Sequence, residues 1–587
     1  MRMFLGTLFL CLMSSMGCSS QQPESQTMEK PRAAVQSFVQ VSNGRFQVDG
    51  NPFYFVGSNF YRLAMSEAFQ GNVVKEYKNG RVTYPQIDKV MENYAAEGFK
   101  VIRLWGFACE GSKGSNVTPP FINKDLSLNM DGIQQLDYTI AAAGQHGIRV
   151  ILPLVNFEHE YCGMEWWVEQ TLAKRATPAQ KNMTYSCVEK RSHHVLKLTY
   201  NASDCAALNR PDNPVEAVVT KEYFYSDETV KTAFKNHVWN FLTRTNPYTG
   251  LSYRDDPGIF AIELTNEAHT SDYYECLRTD VGNKTYNGCA AENPANYKAG
   301  ELVYNWLNEM SQYVRSVDSN HLITTGEEGY RTSHQDPECM NKHSWINNGM
   351  KGVDFARNAA LPYVSFMTTH LYPDNWAVPT SDLDWFDRCV IKDRGAIAAK
   401  NGKPIIMEET GFSEQGYDGK PDDYRRDRPY YLSRMYRYAN QAGFQGTMVW
   451  QAAPLTLFDQ VAEDDSFTFP IKVKLNNEWI YSPEGLAMKQ QVSCQQNLAR
   501  GLRASSCVSI CPRGTAVDSS NLGTDPQGYR CVLPTYNDPS GKEGYPACTA
   551  GSNPVNGWGW IQDAAICTQY TIGQKQYQES AGCSCRA

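Results

Sequence analysis

The hydrophobic pattern of the chain alternates between short apolar runs and longer amphipathic stretches. Eight runs rich in Val, Ile and Phe have the length of buried strands. They lie at Phe53–Asn59, Lys100–Phe107, Arg149–Asn156, Ile259–Glu267, Leu322–Gly329, Ser365–Tyr372, Pro404–Thr410 and Gly446–Gln451. Helical periodicity fills most of the intervals, as at Gln86–Glu97, Gly132–Gln145, Glu228–Thr245, Tyr297–Val317, Asp382–Ala399 and Arg426–Gln441. Strands alternating with helices predict an α/β fold, a (β/α)₈ TIM barrel.

Polar residues at the ends of these runs favour the barrel over a doubly wound open sheet, which a strand count alone also allows. They crowd the carboxyl ends, where barrel enzymes hold their active sites. The positions are Asn59, Arg103, Asn156, Asn266, Glu267, Glu327, Glu328, His370, Tyr372, Glu408, Glu409 and Trp450. The set contains no serine elbow, phosphate loop or metal-ligand cluster, so we expect neither a metal nor a cofactor. Carboxylates with aromatic platforms suit glycoside hydrolysis.

Cysteine content indicates the compartment. The chain has 18 cysteines in 587 residues, a number typical of proteins that fold under oxidising conditions. Arg2 and the apolar run after it predict a signal peptide that is too short to span a membrane. The segment around Cys18 resembles a bacterial lipoprotein cleavage site; the alternative is an ordinary secretory signal. We expect a secreted or cell-surface protein. If Cys18 is lipidated, the protein would be an outer-membrane lipoprotein of a bacterium, attached to the membrane only through that lipid.

Charge narrows the possible partners. The chain carries 55 Lys+Arg and 63 Asp+Glu, a net charge of −8. Nucleic-acid binding needs clustered basic charge, so nucleic acid is not expected as a partner. An uncharged polysaccharide is compatible with this balance. We expect the protein to be a monomer.

The positions of the cysteines suggest where the domains divide. Without Cys11 and Cys18, eight cysteines precede residue 390 and eight follow residue 493. We predict a signal segment at 1–18, a tether at 19–34, a catalytic domain at 35–494 and a Cys-rich module at 495–587. The long connection after Asn156, which carries three cysteines, predicts a disulfide-stapled loop that shapes a substrate cleft.

Several motifs resemble glycoside hydrolase family 5. They are Val101-Ile102-Arg103-Leu104-Trp105, Leu264-Thr265-Asn266-Glu267, His370-Leu371-Tyr372-Pro373-Asp374-Asn375-Trp376, Glu409-Thr410-Gly411 and Trp450. The segments Phe224–Asp227, Lys235–Val238, Tyr253–Pro257 and Gly326–Gly329 are similar to the endo-β-1,4-mannanases of that family. The resemblance runs from about residue 37 to residue 494. Ala268 stands where the family usually has Pro, and Thr410 where it usually has an aromatic residue; these departures concern substrate preference.

The resemblance implies a retaining hydrolase. Glu267 would be the acid/base and Glu409 the nucleophile, with the two carboxyl groups about 5–5.5 Å apart and a covalent glycosyl-enzyme intermediate. Asn266 would hydrogen-bond the 2-hydroxyl of the sugar at the cleavage site.

The same resemblance implies supporting roles around the two carboxylates. Arg103 would stabilise the ionised Glu409, and Tyr372 would orient it. His370 would hydrogen-bond the sugar, and Trp450 would be its stacking platform. Glu408 is the rival of Glu409, but side chains alternate along a strand, so we expect only one of the pair to point into the barrel mouth.

Near the C-terminus, Gly544–Cys548 and Gly557–Trp560 resemble family 10 carbohydrate-binding modules. Tyr545, Trp558 and Trp560 would then form a flat aromatic face for sugar rings, including those of a crystalline polysaccharide. The alternative is that these aromatics form the small core of the module. Together the sequence predicts an endo-β-1,4-mannanase acting on mannan, glucomannan or galactomannan, from a plant or algal source. An endo-β-1,4-glucanase and a non-catalytic glycan-binding protein are the alternatives.

Overall fold

A computed structural model describes residues 35–504 except 66–81, 113–116, 174–184, 190–194, 200–202, 213, 273–298, 414–423, 425–427, 454–466 and 476–477. Beyond residue 504 it describes only 516–517 and 531–532, which pair as two antiparallel strands. The predicted signal segment, tether, Cys18 and the aromatics Tyr545, Trp558 and Trp560 therefore lie outside the described residues. Within the described part of the chain, no helix is long and apolar enough to cross a membrane.

Eight parallel strands form the barrel. They are β1 (Phe55–Asn59), β2 (Val101–Arg103), β3 (Arg149–Pro153), β4 (Ile259–Glu263), β5 (Leu322–Thr324), β6 (Met367–Leu371), β7 (Ile405–Thr410) and β8 (Gly446–Val449). Their order is β5-β4-β3-β2-β1-β8-β7-β6. The ring is closed between β5 and β6 by the Ser365 N–H, which donates to Ile323 O at 2.7 Å. The predicted (β/α)₈ barrel is confirmed.

Helices surround the strands. The main ones are α1 (Tyr84–Glu97), α2 (Met130–Gln145), α3 (Glu228–Thr243), α4 (Glu301–Val317), α5 (Asp393–Lys400), α6 (Arg428–Gln441) and α7 (Pro483–Ala499). Several begin at a residue that satisfies free backbone donors, such as Asn129 for α2, Asp227 for α3 and Ser482 for α7. The α7 helix continues past residue 494, where the sequence placed the end of the catalytic domain, because its apolar face packs on the barrel; Met488 and Val492 are buried there.

The connection from β5 to β6 differs from a regular barrel unit. It is fully described and contains three short helices, Pro337–Asn341, Ser344–Ile346 and Phe355–Asn358, instead of one long one. Another irregular stretch precedes α5, where Leu383–Phe386 continues through a wider π-helical turn at Asp387–Lys392. A disulfide between Cys339 and Cys389 joins these two regions.

Smaller sheets accompany the barrel. After β8, Ala452–Ala453 pairs with Phe469–Pro470 and Lys472–Leu475 pairs with Glu478–Tyr481. Two three-stranded sheets are larger. Strands Gln40–Ser42, Arg45–Val48 and Asn51–Pro52 cover the amino-terminal end of the barrel, where Phe46 packs against Phe55, Phe260 and Phe366. Strands Tyr185–Glu189, Val195–Thr199 and Val215–Val219 form an antiparallel sheet within the long connection after β3. The Cys187–Cys205 disulfide staples this insertion, as the sequence predicted for it. The remaining short helices are Tyr61–Ala64, Met164–Val168, Glu169–Ala173, Ser203–Ala206, Tyr223–Ser226, Tyr253–Asp255 and Thr380–Asp382.

Candidate active site

Arg103 lies at the centre of the polar cluster in the barrel mouth. It is the last residue of β2, and its side chain is fully buried. Its Nε and Nη2 donate to the two carboxyl oxygens of Glu263 at 2.7 and 2.6 Å. Its Nη1 donates to Glu409 Oε1 at 2.5 Å and to Asn59 Oδ1 at 3.1 Å, while Nη2 also reaches Asn266 Oδ1 at 2.6 Å. The guanidinium therefore fixes the positions of groups from three strands.

Glu409 and Glu408 both point into the barrel, contrary to the prediction that only one would. Strand alternation already turns Ile406 and Glu408 inward, since Ile406 belongs to the apolar core inside the barrel. The pairing of β7 with β6 then skips one residue, from Met407 opposite Thr369 to Glu409 opposite His370. This bulge leaves Glu408 unpaired and turns Glu409 back towards the interior.

Glu267 stands on the loop after β4, where its backbone takes the left-handed conformation with φ of 55°. That conformation is costly for a residue with a side chain and occurs mainly where surrounding structure enforces it. Here the Glu267 N–H donates to Gly326 O at 2.7 Å. One carboxyl oxygen of Glu267 comes within 4.8 Å of one of Glu409, with a ring nitrogen of His370 between them.

His370 links the carboxylates. Its Nδ1 is 3.0 Å from Glu267 Oε1 and 3.5 Å from Glu409 Oε1, and its Nε2 is 3.2 Å from Glu408 Oε2. Burial opposes a charge on this ring, but the surrounding carboxylates, Glu409 foremost, raise the pKa of His370 well above its usual range. The surrounding carboxylates therefore favour the protonated, positively charged form of the ring.

Glu409 has three hydrogen-bond donors or cations around it. Besides Arg103, the Tyr372 hydroxyl donates to Glu409 Oε2 at 2.7 Å. Burial raises the pKa of Glu409 above its usual value, whereas His370, Arg103 and Tyr372 each act to lower it. The sequence predicted only the stabilising charges, because burial of a strand-end carboxyl is not visible in a residue pattern.

Asn266 is held in one orientation from both sides of its amide. Its Oδ1 accepts from Arg103, and its Nδ2 donates to Asn156 Oδ1 at 2.9 Å. The contact with Arg103 also identifies the oxygen of the Asn266 amide, because a guanidinium can only donate and its partner must therefore be an acceptor. Asn59 has a similar supporting role, with Nδ2 donating to the backbone oxygens of Glu408 and Val449.

Trp450 forms part of an aromatic cluster that sequence analysis missed. Its ring stacks on Tyr61 with centroids 5.3 Å apart and an interplanar angle of 17°, and Tyr61 stacks on Trp105 at 4.2 Å. Tyr161 packs edge-on against both Tyr61 and Trp105. The sequence did offer one indication of this cluster: Tyr61 and Trp105 each lie two residues after a strand-end residue, Asn59 and Arg103, and so at the barrel mouth.

The other acidic and aromatic candidates lie around the site without joining the two central carboxylates. Glu328 accepts from the Tyr330 hydroxyl at 2.6 Å, and its pKa is raised well above the usual range by burial and by the charge of Glu267. Glu327 accepts from Thr325 instead, and burial raises its pKa to about 7. Trp166 and Trp167 are buried: Trp167 packs against Phe234 and His237 of α3, and Trp166 Nε1 donates to Glu110 O at 3.0 Å.

Two groups of described residues are compact enough to hold a metal ion: Glu267, His370 and Glu409 form one, and the loop residues Glu158, His159 and Glu160 form the other. The first is unsuited to a cation, because the neighbouring carboxylates raise the pKa of His370 well above its usual range and Arg103 already donates to Glu409. The second consists of exposed or half-buried side chains on one loop. The arrangement suits acid/base and nucleophilic chemistry instead.

The chain is similar over most of its length to known proteins. Residues 36–457 match the family model described as GH family 5 beta-mannosidase-like. Mannan endo-1,4-beta-mannosidase 2 of Oryza sativa subsp. japonica is 27% identical over 439 residues, covering 73% of this chain and 80% of that relative. Mannan endo-1,4-beta-mannosidase F of Aspergillus fumigatus is 26% identical over 400 residues, covering 67% and 68%.

Solved structures share the fold. An endo-1,4-beta-mannanase from Rhizomucor miehei aligns with a TM-score of 0.53 at 23% identity, over 78% of this chain and 100% of that one. An endo-beta-1,4-mannanase from Thermotoga petrophila aligns with a TM-score of 0.52 at 23% identity, over 76% and 77%. At this level of identity the likeness concerns the barrel alone.

Proposed function

Because the chain belongs to glycoside hydrolase family 5 in its β-mannosidase-like group, we propose that it is a retaining endo-β-1,4-mannanase. Its substrates are mannan, glucomannan or galactomannan. The observation that carries the mechanism is the approach of the Glu267 and Glu409 carboxyl oxygens to within 4.8 Å. Retaining enzymes place their carboxyl groups about 5–5.5 Å apart, whereas inverting enzymes leave about 6.5–9.5 Å for a water. The names of the curated relatives support the mannan specificity.

In this proposal Glu409 attacks the anomeric carbon while Glu267 protonates the leaving glycosidic oxygen. A covalent mannosyl-enzyme forms, and Glu267 then acts as the base that activates water. Arg103 and Tyr372 each hold one oxygen of Glu409, so the attacking carboxylate has a single orientation. Because the carboxylate is already held in one orientation, less entropy is lost on reaching the transition state.

Asn266 and Trp450 supply the sugar contacts. The Asn266 Nδ2 faces away from Arg103 and can donate towards the 2-hydroxyl of the sugar being cleaved, a contact that strengthens in the transition state. The half-buried Trp450 ring, backed by Tyr61, offers a flat surface to the same sugar. His370 contributes a ring nitrogen between the two carboxylates.

The experiment is a panel of polymers offered to the purified protein. Reducing-sugar release from glucomannan and galactomannan is expected, with loss of activity in both Glu267→Ala and Glu409→Ala. Proton NMR of the first product formed should show the β-anomer. Activity on carboxymethyl-cellulose with none on mannans would assign the protein to the glucanases instead, and α-anomer as first product would exclude retention.

We also propose that the enzyme is secreted, with the Cys-rich C-terminal region acting as a carbohydrate-binding module. The disulfides Cys109–Cys162, Cys187–Cys205 and Cys339–Cys389 support an oxidising compartment. In the full chain, replacing Trp558 and Trp560 by Ala should weaken retention on insoluble polysaccharide without changing hydrolysis of soluble mannan. Mass spectrometry of the mature N-terminus decides whether Cys18 carries a lipid.

A further inference from the structure

Glu408 is a fully buried carboxyl group in the active site that the mechanism above does not use. The bulge in β7 turns it inward beside Glu409. Its Oε2 lies 3.2 Å from His370 Nε2, and its Oε1 is buried with no hydrogen-bond partner among the described residues. A buried carboxyl with one free oxygen costs stability, which points to a role in the site.

Arg103 does not neutralise this group directly. The Arg103 Nε lies 3.9 Å from Glu408 Oε2 but donates to Glu263 at 2.7 Å. The remaining guanidinium nitrogens are used by Glu263, Asn59, Glu409 and Asn266. Within the described residues, the hydrogen bond of the Glu408 side chain is therefore made to His370.

We propose that Glu408 is a positioning residue that acts through His370 on the acid/base Glu267. Its Oε2 accepts the Nε2–H of His370 and keeps a proton on that nitrogen, with Nδ1 directed at Glu267. This inference rests on the proposed function, because it assigns a role within the same hydrolysis.

The consequence for catalysis follows from where charge develops. As the bond between C1 and the glycosidic oxygen breaks, its electron pair goes to the oxygen, which takes the proton of Glu267, while a Glu409 oxygen forms the new bond to C1. Glu267 thus becomes a carboxylate 3.0 Å from His370 Nδ1. A positively charged His370 stabilises that carboxylate, and Glu408 in turn stabilises the charge on His370.

The charged and titratable groups facing His370 come from several elements. They are Arg103 on β2, Glu263 on β4, Glu267 on the loop after β4, Glu328 on the loop after β5, Tyr372 after β6, and Glu408 and Glu409 on β7. Among these, Glu408 contacts the ring nitrogen opposite Glu267, so it can change the acid/base without touching the substrate.

The test replaces Glu408 with the isosteric Gln and compares substrates with different leaving groups. For Glu408→Gln we expect kcat/KM on phenyl β-mannobioside and on mannan to fall about tenfold more than on the 2,4-dinitrophenyl glycoside, because only poor leaving groups need a strong acid. General structural damage would slow all three substrates alike. Glu327→Gln is the matched control, since Glu327 is equally buried but hydrogen-bonds Thr325 and Asn358; it should leave all three rates unchanged.

A double-mutant cycle tests whether the effect passes through His370. In a His370→Asn background, Glu408→Gln should add no further dependence on the leaving group. An equal loss on all substrates, an unchanged profile, or an additive loss in the His370→Asn background would each overturn the proposal.

A substrate-free measurement separates failure of this proposal from failure of the proposed function. In protein labelled with ¹⁵N-histidine, the His370 ring should show a protonated Nε2 in the wild type, identified by its absence in His370→Asn. An unprotonated Nε2 in the wild type would overturn the inference even if Glu408→Gln does not fold. A wild type that hydrolyses no mannoside would contradict the proposed function, and the ring-nitrogen result would still decide the role of Glu408.

Discussion

Removing the Tyr372 hydroxyl tests how Glu409, the proposed nucleophile, is oriented and kept ionised. In Tyr372→Phe, Glu409 loses a hydrogen bond of 2.7 Å to its Oε2, while Arg103 still holds Oε1. A hydrogen bond to a charged group contributes roughly 1.5–3 kcal/mol, and each 1.36 kcal/mol corresponds to tenfold in rate. We therefore expect kcat/KM on a soluble mannan to fall roughly 10- to 150-fold, with little change in the packing of ring 372 against Phe467.

The same variant should also change the pH dependence of kcat/KM, in a direction that the structure fixes. Tyr372 acts to lower the pKa of Glu409, which burial has raised, so its removal should raise that pKa further. Since Glu409, as the proposed nucleophile, must be ionised to attack, the acidic limb of kcat/KM should move to higher pH.

Tyr424→Phe is the matched control, because Tyr424 is also buried and donates to one acceptor, the backbone oxygen of Val378, at 2.8 Å. It should lose roughly 0.5–1.5 kcal/mol of stability with an unchanged pH profile. An unmoved acidic limb in Tyr372→Phe would refute the reasoning.

Three further substitutions have defined outcomes. Replacing both Cys109 and Cys162 by Ser removes a cross-link spanning 53 residues and should lower the free energy of unfolding in urea by about 4 kcal/mol; an unchanged midpoint would contradict it. Gly326→Ala should lower the free energy of unfolding by roughly 1–3 kcal/mol or more, because φ is 71° there and a Cβ would overlap Thr265 O. The same substitution should reduce the rate of mannan hydrolysis, since Gly326 O accepts the hydrogen bond of the Glu267 backbone N–H. Arg103→Lys keeps the positive charge but loses the planar guanidinium with its several donors. We expect kcat/KM on soluble mannan to fall by roughly two orders of magnitude. A loss under threefold would contradict the idea that Arg103 positions Glu409 and Asn266.

The sequence predicts the barrel well because strand and helix periods are local properties. All eight apolar runs contain a barrel strand, and three of the polar residues at their carboxyl ends, Asn59, Asn266 and Glu409, accept hydrogen bonds from Arg103. The approach of Glu267 to Glu409 could be anticipated only through the family resemblance. Spacing along the chain gives no distance across a barrel mouth.

Departures from ideal strands were not predictable. The alternation rule assigned opposite directions to Glu408 and Glu409, but a bulge in β7 makes both face inward. A bulge depends on the register with β6, which one strand's residues do not specify. The left-handed backbone of Glu267 likewise occurs together with a hydrogen bond from its N–H to Gly326 O, and Gly326 lies far along the chain.

Aromatic packing around Trp450 was missed for a related reason. Tyr61, Trp105 and Tyr161 follow three different strands, and they meet only when β1, β2 and β3 stand side by side. Trp166 and Trp167, by contrast, are adjacent in sequence, but both are buried, and Trp167 packs against Phe234 and His237 of α3. Adjacency in sequence was therefore a poor guide to which aromatics face the cleft.

The central claim, that Glu409 is the nucleophile of a retaining mannanase, has a direct test. The enzyme is incubated with a 2-deoxy-2-fluoro-β-mannobiosyl fluoride, which slows turnover of the covalent intermediate, and is then analysed by intact-mass and peptide mass spectrometry. We predict one added fluoroglycosyl group, located on Glu409, and none in Glu409→Gln. A label on Glu408 or Glu267, or inactivation with no covalent adduct, would contradict the account.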